Sequence, residues 1–370
     1  MAFDKQPMAR RTLFSTHKSK SLKRMRRKKS IIIILSILFI LIITTAGIAY
    51  NYYNQFFKPG LHPNAPEYLY IPTGTTYTEL IHLIEKQQIL ENADAFQTLA
   101  KHKKLADRIH PGRYKLDSLM SNNDLINKIR SGNQEPVHLI FNNIRNKEQL
   151  SQKIASQLEV DSLSLLTLLN NNNFLSHYGF TSENILSMFI PNTYQLYWNT
   201  SDTAFFKRMF KEHQNFWTKQ RLQKAEAIDL SPIEVSILAA IVEEENHKTD
   251  EQPRIAGVYI NRLKRGMLLQ ADPTIKYALN NPGIKRILLS DLEIDSPYNT
   301  YKNTGLPPGP IRIPEASAID AVLNFEKHKY LYMCAKDDFS GYHNFAVSPH
   351  QHAINARKYH QALRRNKIKR

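Results

Sequence analysis

The chain has a single cysteine, Cys334, in 370 residues. An intramolecular disulfide framework, a CxxC redox pair and a cysteine-built metal cluster are therefore excluded, and stability has to come from packing. Acidic residues are scarce beside basic ones, 33 against 50, leaving a formal net charge of +17. That excess would suit a nucleic-acid partner if it covered a folded surface, but it is concentrated at one end. Residues 1–29 hold eleven Lys and Arg against the single acid Asp4, so this tail carries +10 and everything after it only +7. No HExxH pattern occurs, and a zinc-hydrolase reading would rest on isolated histidines such as His343, His350 and His352; neither metal nor cofactor is expected. Apolar residues are plentiful at 42%, enough for two or three folded units with cores of their own.

Residues 31–50 read IIIILSILFILIITTAGIAY without a charge. As a helix this run spans about 30 Å, the thickness of a bilayer's hydrocarbon layer. It lacks the polar face of a long core helix and the short apolar core and small-residue cleavage site of a signal peptide. The cluster KRMRRKK at 23–29 precedes it directly. Cationic flanks stay on the cytoplasmic side, so the expected arrangement is a basic cytoplasmic tail at 1–29, a transmembrane helix at 30–50 in contact with membrane lipid, and a linker at 51–66 leading outward. In a bacterium this means a single-pass protein of the cytoplasmic (inner) membrane with its C-terminal part in the periplasm. A basic tail beside such a helix reads as topology signal and headgroup contact, and no nucleic-acid partner is expected.

Beyond the linker, a small α+β unit is predicted at 67–131. Tyr68 to Ile71 form a strand-like run, 78–87 a helix with Leu80, Ile81 and Ile84 on its apolar side, 111–116 a turn into a strand, and 121–130 a helix. A similar beginning follows, with a strand at 137–141 and a helix at 146–158, although likeness of pattern alone does not establish a repeat. The stretch 162–221 is largely helical, interrupted at 189–197, where aromatic residues flank Pro191-Asn192. Tyr194 there has two readings, a ring stacking on a sugar's C–H face or a corner of the core.

The best-specified element begins at Ser231-Pro232-Ile233-Glu234, a capping box with Pro in the first turn. Along the helix Leu238, Ile241, Val242 and Glu245 fall on one stripe. Glu243 and Glu244 lie about 200° and 100° away around the axis, so the three acids cannot share one environment. A carboxyl ending an apolar stripe is partly desolvated, which raises its pKa and favours a proton-donating form; the competing reading is a frayed helix end with solvated acids. A second helix is predicted at 251–264, with Ala256, Tyr259, Ile260 and Leu263 inward and Gly266 as its stop. The turns at 270–274, 298–301 and 304–311 suit either a fixed binding loop or a surface connector. A helix at 315–324 and a strand at 330–335 return the chain to the core, with Cys334 pointing inward as a small hydrophobe. The basic C-terminus, 358–370, fits a helix drawn to anionic surfaces and equally one that keeps the chain soluble.

Several of these segments together resemble the YceG-like (MltG) family of membrane-anchored endolytic murein transglycosylases: AAIVEEEN at 239–246, Gly257 to Leu263 with its Asn-Arg-Leu ending, LQADPT at 269–274, SPYNTY at 296–301, TGLPPGPI at 304–311 and GYHNF at 341–345. The strong part of the resemblance covers about 185–355. It implies an α+β protein with a LysM-like peptidoglycan-binding subdomain at 67–131 and a mixed α+β YceG-like catalytic domain over 132–370. It also implies an enzyme that cleaves the bond between N-acetylmuramic acid and N-acetylglucosamine, leaving 1,6-anhydromuramic ends. The essential acid falls on Glu245, with Glu243 as a companion. Many relatives carry Thr where this chain has Asn246, which puts a role for a hydroxyl in doubt. Gln270, Asp272, Asn299, Thr300 and His343 become candidates to orient sugar or stabilise charge, and Tyr194 to stack. The partners implied are glycan strands and cell-wall synthesis proteins. The alternative function is a catalytically inactive, membrane-anchored peptidoglycan-binding scaffold.

Overall fold

A computed structural model describes residues 13–366 apart from 282, 285 and 286. The first twelve residues of the expected basic tail and the last four of the basic C-terminus lie outside the described residues. The chain divides into two compact units between Gln134 and Glu135, and the architecture is mixed α+β.

The first unit begins with α1 (Leu13–Phe56). Within it Leu22–Phe56 is long and apolar enough to cross a membrane, and Ile31 to Ile43 are exposed. The helix continues through 51–56, where a linker was expected, because Asn51 to Phe56 contain no Gly or Pro to stop it. Strand β1 (Tyr68–Ile71), helices α2 (Tyr77–Lys86) and α3 (Ala93–His102), strand β2 (Gly112–Lys115) and helix α4 (Asn122–Ser131) follow. Thr76 and Ser121 close capping boxes on α2 and α4, which fixes where each helix starts. Leu69, Ile71, Leu80, Ile84, Phe96 and Tyr114 meet in one core.

The second unit opens with the same order of elements: β3 (Val137–Phe141), α5 (Lys147–Ala155), α6 (Ser162–Asn170), a short α7 (Asn172–Ser176) and β4 (Asn192–Leu196). The likeness extends to register. Leu69 pairs with Tyr114 in the antiparallel β1–β2 sheet, and Leu139 pairs with Tyr194 in β3–β4. Each tyrosine donates its hydroxyl hydrogen to the carbonyl four residues earlier, His110 at 2.8 Å and Ile190 at 2.5 Å. A Pro, Pro111 or Pro191, stands three residues before each of them. Pattern alone left a repeat undecided because the few shared residues, Leu, Pro and Tyr at matching positions, become equivalent only through strand pairing and hydrogen bonding.

Helices α8 (Asp202–Phe216) and α9 (Lys219–Glu226) lead into α10 (Pro232–Glu245), with the predicted capping box between Ser231 and Glu234. Every residue of α10 from Val235 to Glu243 is buried. A single inward stripe was too narrow an expectation, since the helix packs on all sides and buries even Ser236 and Glu243. Around it lie α11 (Gln252–Leu263), α12 (Asp272–Ala278) and α13 (Ala316–Leu323). Strands β5 (Tyr332–Ala335) and β6 (His343–Ala346) form a third two-stranded antiparallel sheet covered by α14 (Pro349–Arg365).

Candidate active site

Helix α10 ends in three consecutive acids, and the surrounding elements sort them. Glu243 is 6% exposed; its Oε2 accepts the Glu315 backbone N–H at 2.8 Å and its Oε1 lies 3.1 Å from the Arg312 guanidinium. Burial raises the pKa of Glu243, against the lowering effect of Glu315's N–H and of Arg312. Glu244 accepts a two-pronged contact from Arg145, at 2.8 and 3.0 Å, and one from Arg312 at 2.7 Å. Two acids are thus consumed by two arginines in a partly dry ion cluster that locks the C-terminal end of α10 to the loop after β3.

Glu245 faces the other way, into a cleft of about 350 Å³. Tyr259, one of the inward residues of α11, donates its hydroxyl hydrogen to Glu245 Oε1 at 2.6 Å. Desolvation raises the Glu245 pKa to about 6; the Tyr259 hydrogen bond opposes this, the Asp272 charge adds to it, and His343 and Lys276 oppose it. Burial and the adjoining carboxylate push the Tyr259 hydroxyl far above its usual value, so it remains a neutral donor. A carboxyl with this pKa is populated in both protonation states near neutrality, as a group that must give and then take a proton requires.

The cleft floor is tied down by the Asn-Arg-Leu ending of α11. Asn261 donates to the carbonyls of His328 and Tyr330 at 2.9 and 3.0 Å. Arg262, 7% exposed, donates to Leu331 at 2.7 Å, Leu269 at 2.8 Å and the Gln270 side chain at 3.2 Å. Gln270 itself adopts a left-handed φ of 51°, and the turn it makes brings Asp272 to the rim. There Tyr301 donates to Asp272 Oδ1 at 2.5 Å.

Opposite, Asn246 caps α10 and gives its amide hydrogens to Glu251 Oε2 at 2.6 Å and the Gly341 carbonyl at 3.0 Å. Glu251 in turn holds His343 at both the backbone N–H, 2.9 Å, and ring Nδ1, 2.8 Å. The imidazole is thereby fixed at the cleft wall through its Nδ1 edge.

The sequence model of the YceG-like family matches residues 69–358. The chain belongs to that family. A relative in Bacillus subtilis (strain 168) named endolytic murein transglycosylase is 30% identical over 286 residues, covering 72% of this chain and 78% of that protein. The protein of the same name in Streptococcus pneumoniae (strain D39) is 29% identical over 297 residues, and the alignment covers 72% of this chain and 53% of that relative, about half its length. A solved YceG-like protein from Listeria monocytogenes aligns with a TM-score of 0.50 and 26% identity over 78% of this chain and 98% of that one.

In this YceG-like protein, Glu245, Gln270, Asp272 and His343 line one cleft. Asn246 stands beside it as the anchor of Glu251. Asn299 and Thr300 are buried and serve the backbone: Asn299 donates to Leu292 and Ile294 at 2.9 and 2.8 Å, while Thr300 accepts from Ala271's N–H at 3.0 Å and meets the Thr274 hydroxyl at 2.9 Å. Thr300 shapes the 270–274 turn, and Asn299 the loop at 292–299. Tyr194 is 4% exposed in the core of the β3–β4 layer, stacked on Phe141 at 5.7 Å. Glu243 points into the arginine cluster. Cys334 is half-buried at the cleft wall, not in the core as expected, because β5 is an outer strand with intermediate burial throughout. Sequence reasoning did not single out Tyr259, Glu251, Arg262 and Tyr301 as site residues, and considered His352 only as a metal ligand. For Tyr259 a signal existed, an aromatic hydroxyl on the inward face of α11, which needs a polar partner once buried. Among the described residues no three His, Cys, Asp or Glu side chains converge as a metal-ligand set.

Proposed function

We propose that the chain is a membrane-anchored endolytic lytic transglycosylase that cuts peptidoglycan strands between N-acetylmuramic acid and N-acetylglucosamine, with Glu245 as general acid and then general base. The observation that carries this reading is the isolated, desolvated Glu245 carboxyl held by Tyr259 at 2.6 Å inside the cleft. Oε1 already accepts the tyrosine hydrogen, so the transferable proton sits on Oε2. That proton passes to the glycosidic oxygen as the C1–O bond breaks. The muramic C6 hydroxyl then attacks C1 and returns its own proton to Glu245, closing a 1,6-anhydro ring with no water consumed. A hydrolase needs a second carboxylate as nucleophile or water-activating base. Here the attacking hydroxyl belongs to the substrate and acts at high effective concentration. Asp272, oriented by Tyr301, supplies negative charge toward the cationic anomeric centre, and His343 positions the sugar from the opposite wall.

The relatives' printed names and the family membership support the reaction class. The β-α-α-β order of 68–115 is consistent with a LysM-like glycan-binding unit, and the basic residues before the apolar helix favour a periplasmic catalytic unit with peptidoglycan as its partner.

The test incubates the full chain in detergent with uncrosslinked and crosslinked peptidoglycan, beside Glu245→Gln, and identifies the products by mass spectrometry. Internal cuts with anhydromuramic ends, abolished in Glu245→Gln, are expected. Reducing muramic ends would mean attack by water, and binding without any cleavage would replace the enzyme by a tethered scaffold.

A further inference from the structure

An internal cut leaves polymer on both sides of the broken bond, so a strand held in the Glu245 cleft has to continue over neighbouring surface. Helix α12 provides one such continuation. Asp272 at its start lines the cleft. Lys276, one turn later on the same face, lines a second depression of about 450 Å³ together with Gln149, Tyr277 and Asn280. A third, of about 290 Å³, shares Asn146, Glu148 and Tyr277 with the second and extends to Ser182 and Tyr298. The second and third depressions form one groove through their shared lining, and its Lys276 end stands about one helical turn, about 5 Å, from Asp272 at the cleft rim.

The groove's chemistry matches an amino-sugar polymer. Tyr277 and Tyr298 lie with ring centroids 4.7 Å apart and offer apolar faces to sugar C–H surfaces. Asn280 is an exposed carboxamide that complements an N-acetyl group, Gln149 offers its NH2 while its Oε1 accepts the Arg145 backbone N–H at 2.9 Å, and Lys276 and Lys147 stand among the carboxylates Glu148 and Glu183. Arg145, which also lines the groove, is already engaged by Glu244.

We propose that the groove between the start of α5 and α12 is a second binding subsite, which holds the glycan strand on one side of the bond cut at Glu245 and presents Lys276 to the carboxylates of an attached stem peptide. This rests on the reading of the Glu245 cleft as the place of cleavage. The subsite confers preference for long strands, while chemistry on a fragment that fills only the cleft does not need it.

The experiment measures affinity of the full chain in detergent, carrying Glu245→Gln to prevent turnover, for long uncrosslinked strands and for a short fragment. Gln149→Trp fills the groove from an exposed position, and Tyr277→Leu removes a ring. Each variant is checked by thermal melting. Both are expected to weaken long-strand binding about three- to tenfold and to leave the short fragment's affinity unchanged. If the parent protein binds long strands and both groove variants match it, the subsite is overturned while the cleft stands. Loss of affinity for both ligands equally would also overturn it, as damage to the cleft. A parent that binds no strand at all would remove the cleft reading and the subsite together.

Discussion

The Tyr259 hydroxyl and Glu245 Oε1, on neighbouring helices, are 2.6 Å apart at the base of the cleft. This bond favours the ionised carboxylate and so tempers the desolvation that raises the Glu245 pKa to about 6. A general acid must start protonated, and kcat/KM should therefore fall as pH rises through about 6. Tyr259→Phe removes the stabiliser of the charged form and should move that limb upward by about half to one pH unit, read from the pH profile of anhydromuramic product formation. A limb that stays in place would show that another group titrates.

Glu245 also sets a stability balance. Its folded pKa lies above its ordinary value of 4.5, so between those two points the folded state binds more protons than the unfolded state, and stability falls as pH rises. Glu245→Gln should match the parent's stability near pH 4 and exceed it above pH 6 by about 2 kcal/mol. Thermal melting across that range checks this; equal melting temperatures at pH 7 would contradict it.

Arg312 is 4% exposed and contacts both Glu243 and Glu244. Arg312→Met leaves the buried Glu243 without a cation and Glu244 with Arg145 alone, and should cost about 3–5 kcal/mol. The triple change that also replaces both acids by Gln should recover much of this loss, measured by denaturant unfolding. A single variant as stable as the parent would mean the cluster is solvated.

Gly257 lies where α11 presses on the segment before β5: a Cβ there would meet the Glu326 carbonyl oxygen at 2.5 Å and the His328 ring at 2.6 Å. Gly257→Ala should destabilise by about 1–3 kcal/mol and lower kcat more than it raises KM, because the helix carrying Tyr259 must shift. Melting and steady-state kinetics on one preparation separate the two effects.

Glu251 holds both the backbone and the ring of His343. Glu251→Gln keeps the shape but turns one accepting oxygen into an NH2 that faces a donor, and should reduce kcat about tenfold or more while costing about 1–3 kcal/mol of stability. A large melting shift without a kinetic effect would assign Glu251 to folding alone.

Local chemistry determined much of this protein. An uncharged run wrote the apolar helix, side-chain caps at Thr76, Ser121 and Ser231 set helix starts, and the angle between successive helical residues separated Glu245 from Glu243 and Glu244. These features depend on residues within a turn or two of one another, and a sequence displays them directly. Tertiary structure decided what each separated acid would meet: arginines from Arg145 and Arg312 for two of them, and a tyrosine hydroxyl from α11 for the third. It also sent Tyr194 into a core, Thr300 beneath the 270–274 turn, Asn299 into the loop at 292–299, and Cys334 to the cleft wall. Partners such as Arg145 and Glu244, 99 residues apart in the chain, meet only after the chain has packed. Desolvation, which gives Glu245 its altered pKa, arises from that packing and is carried by no single residue.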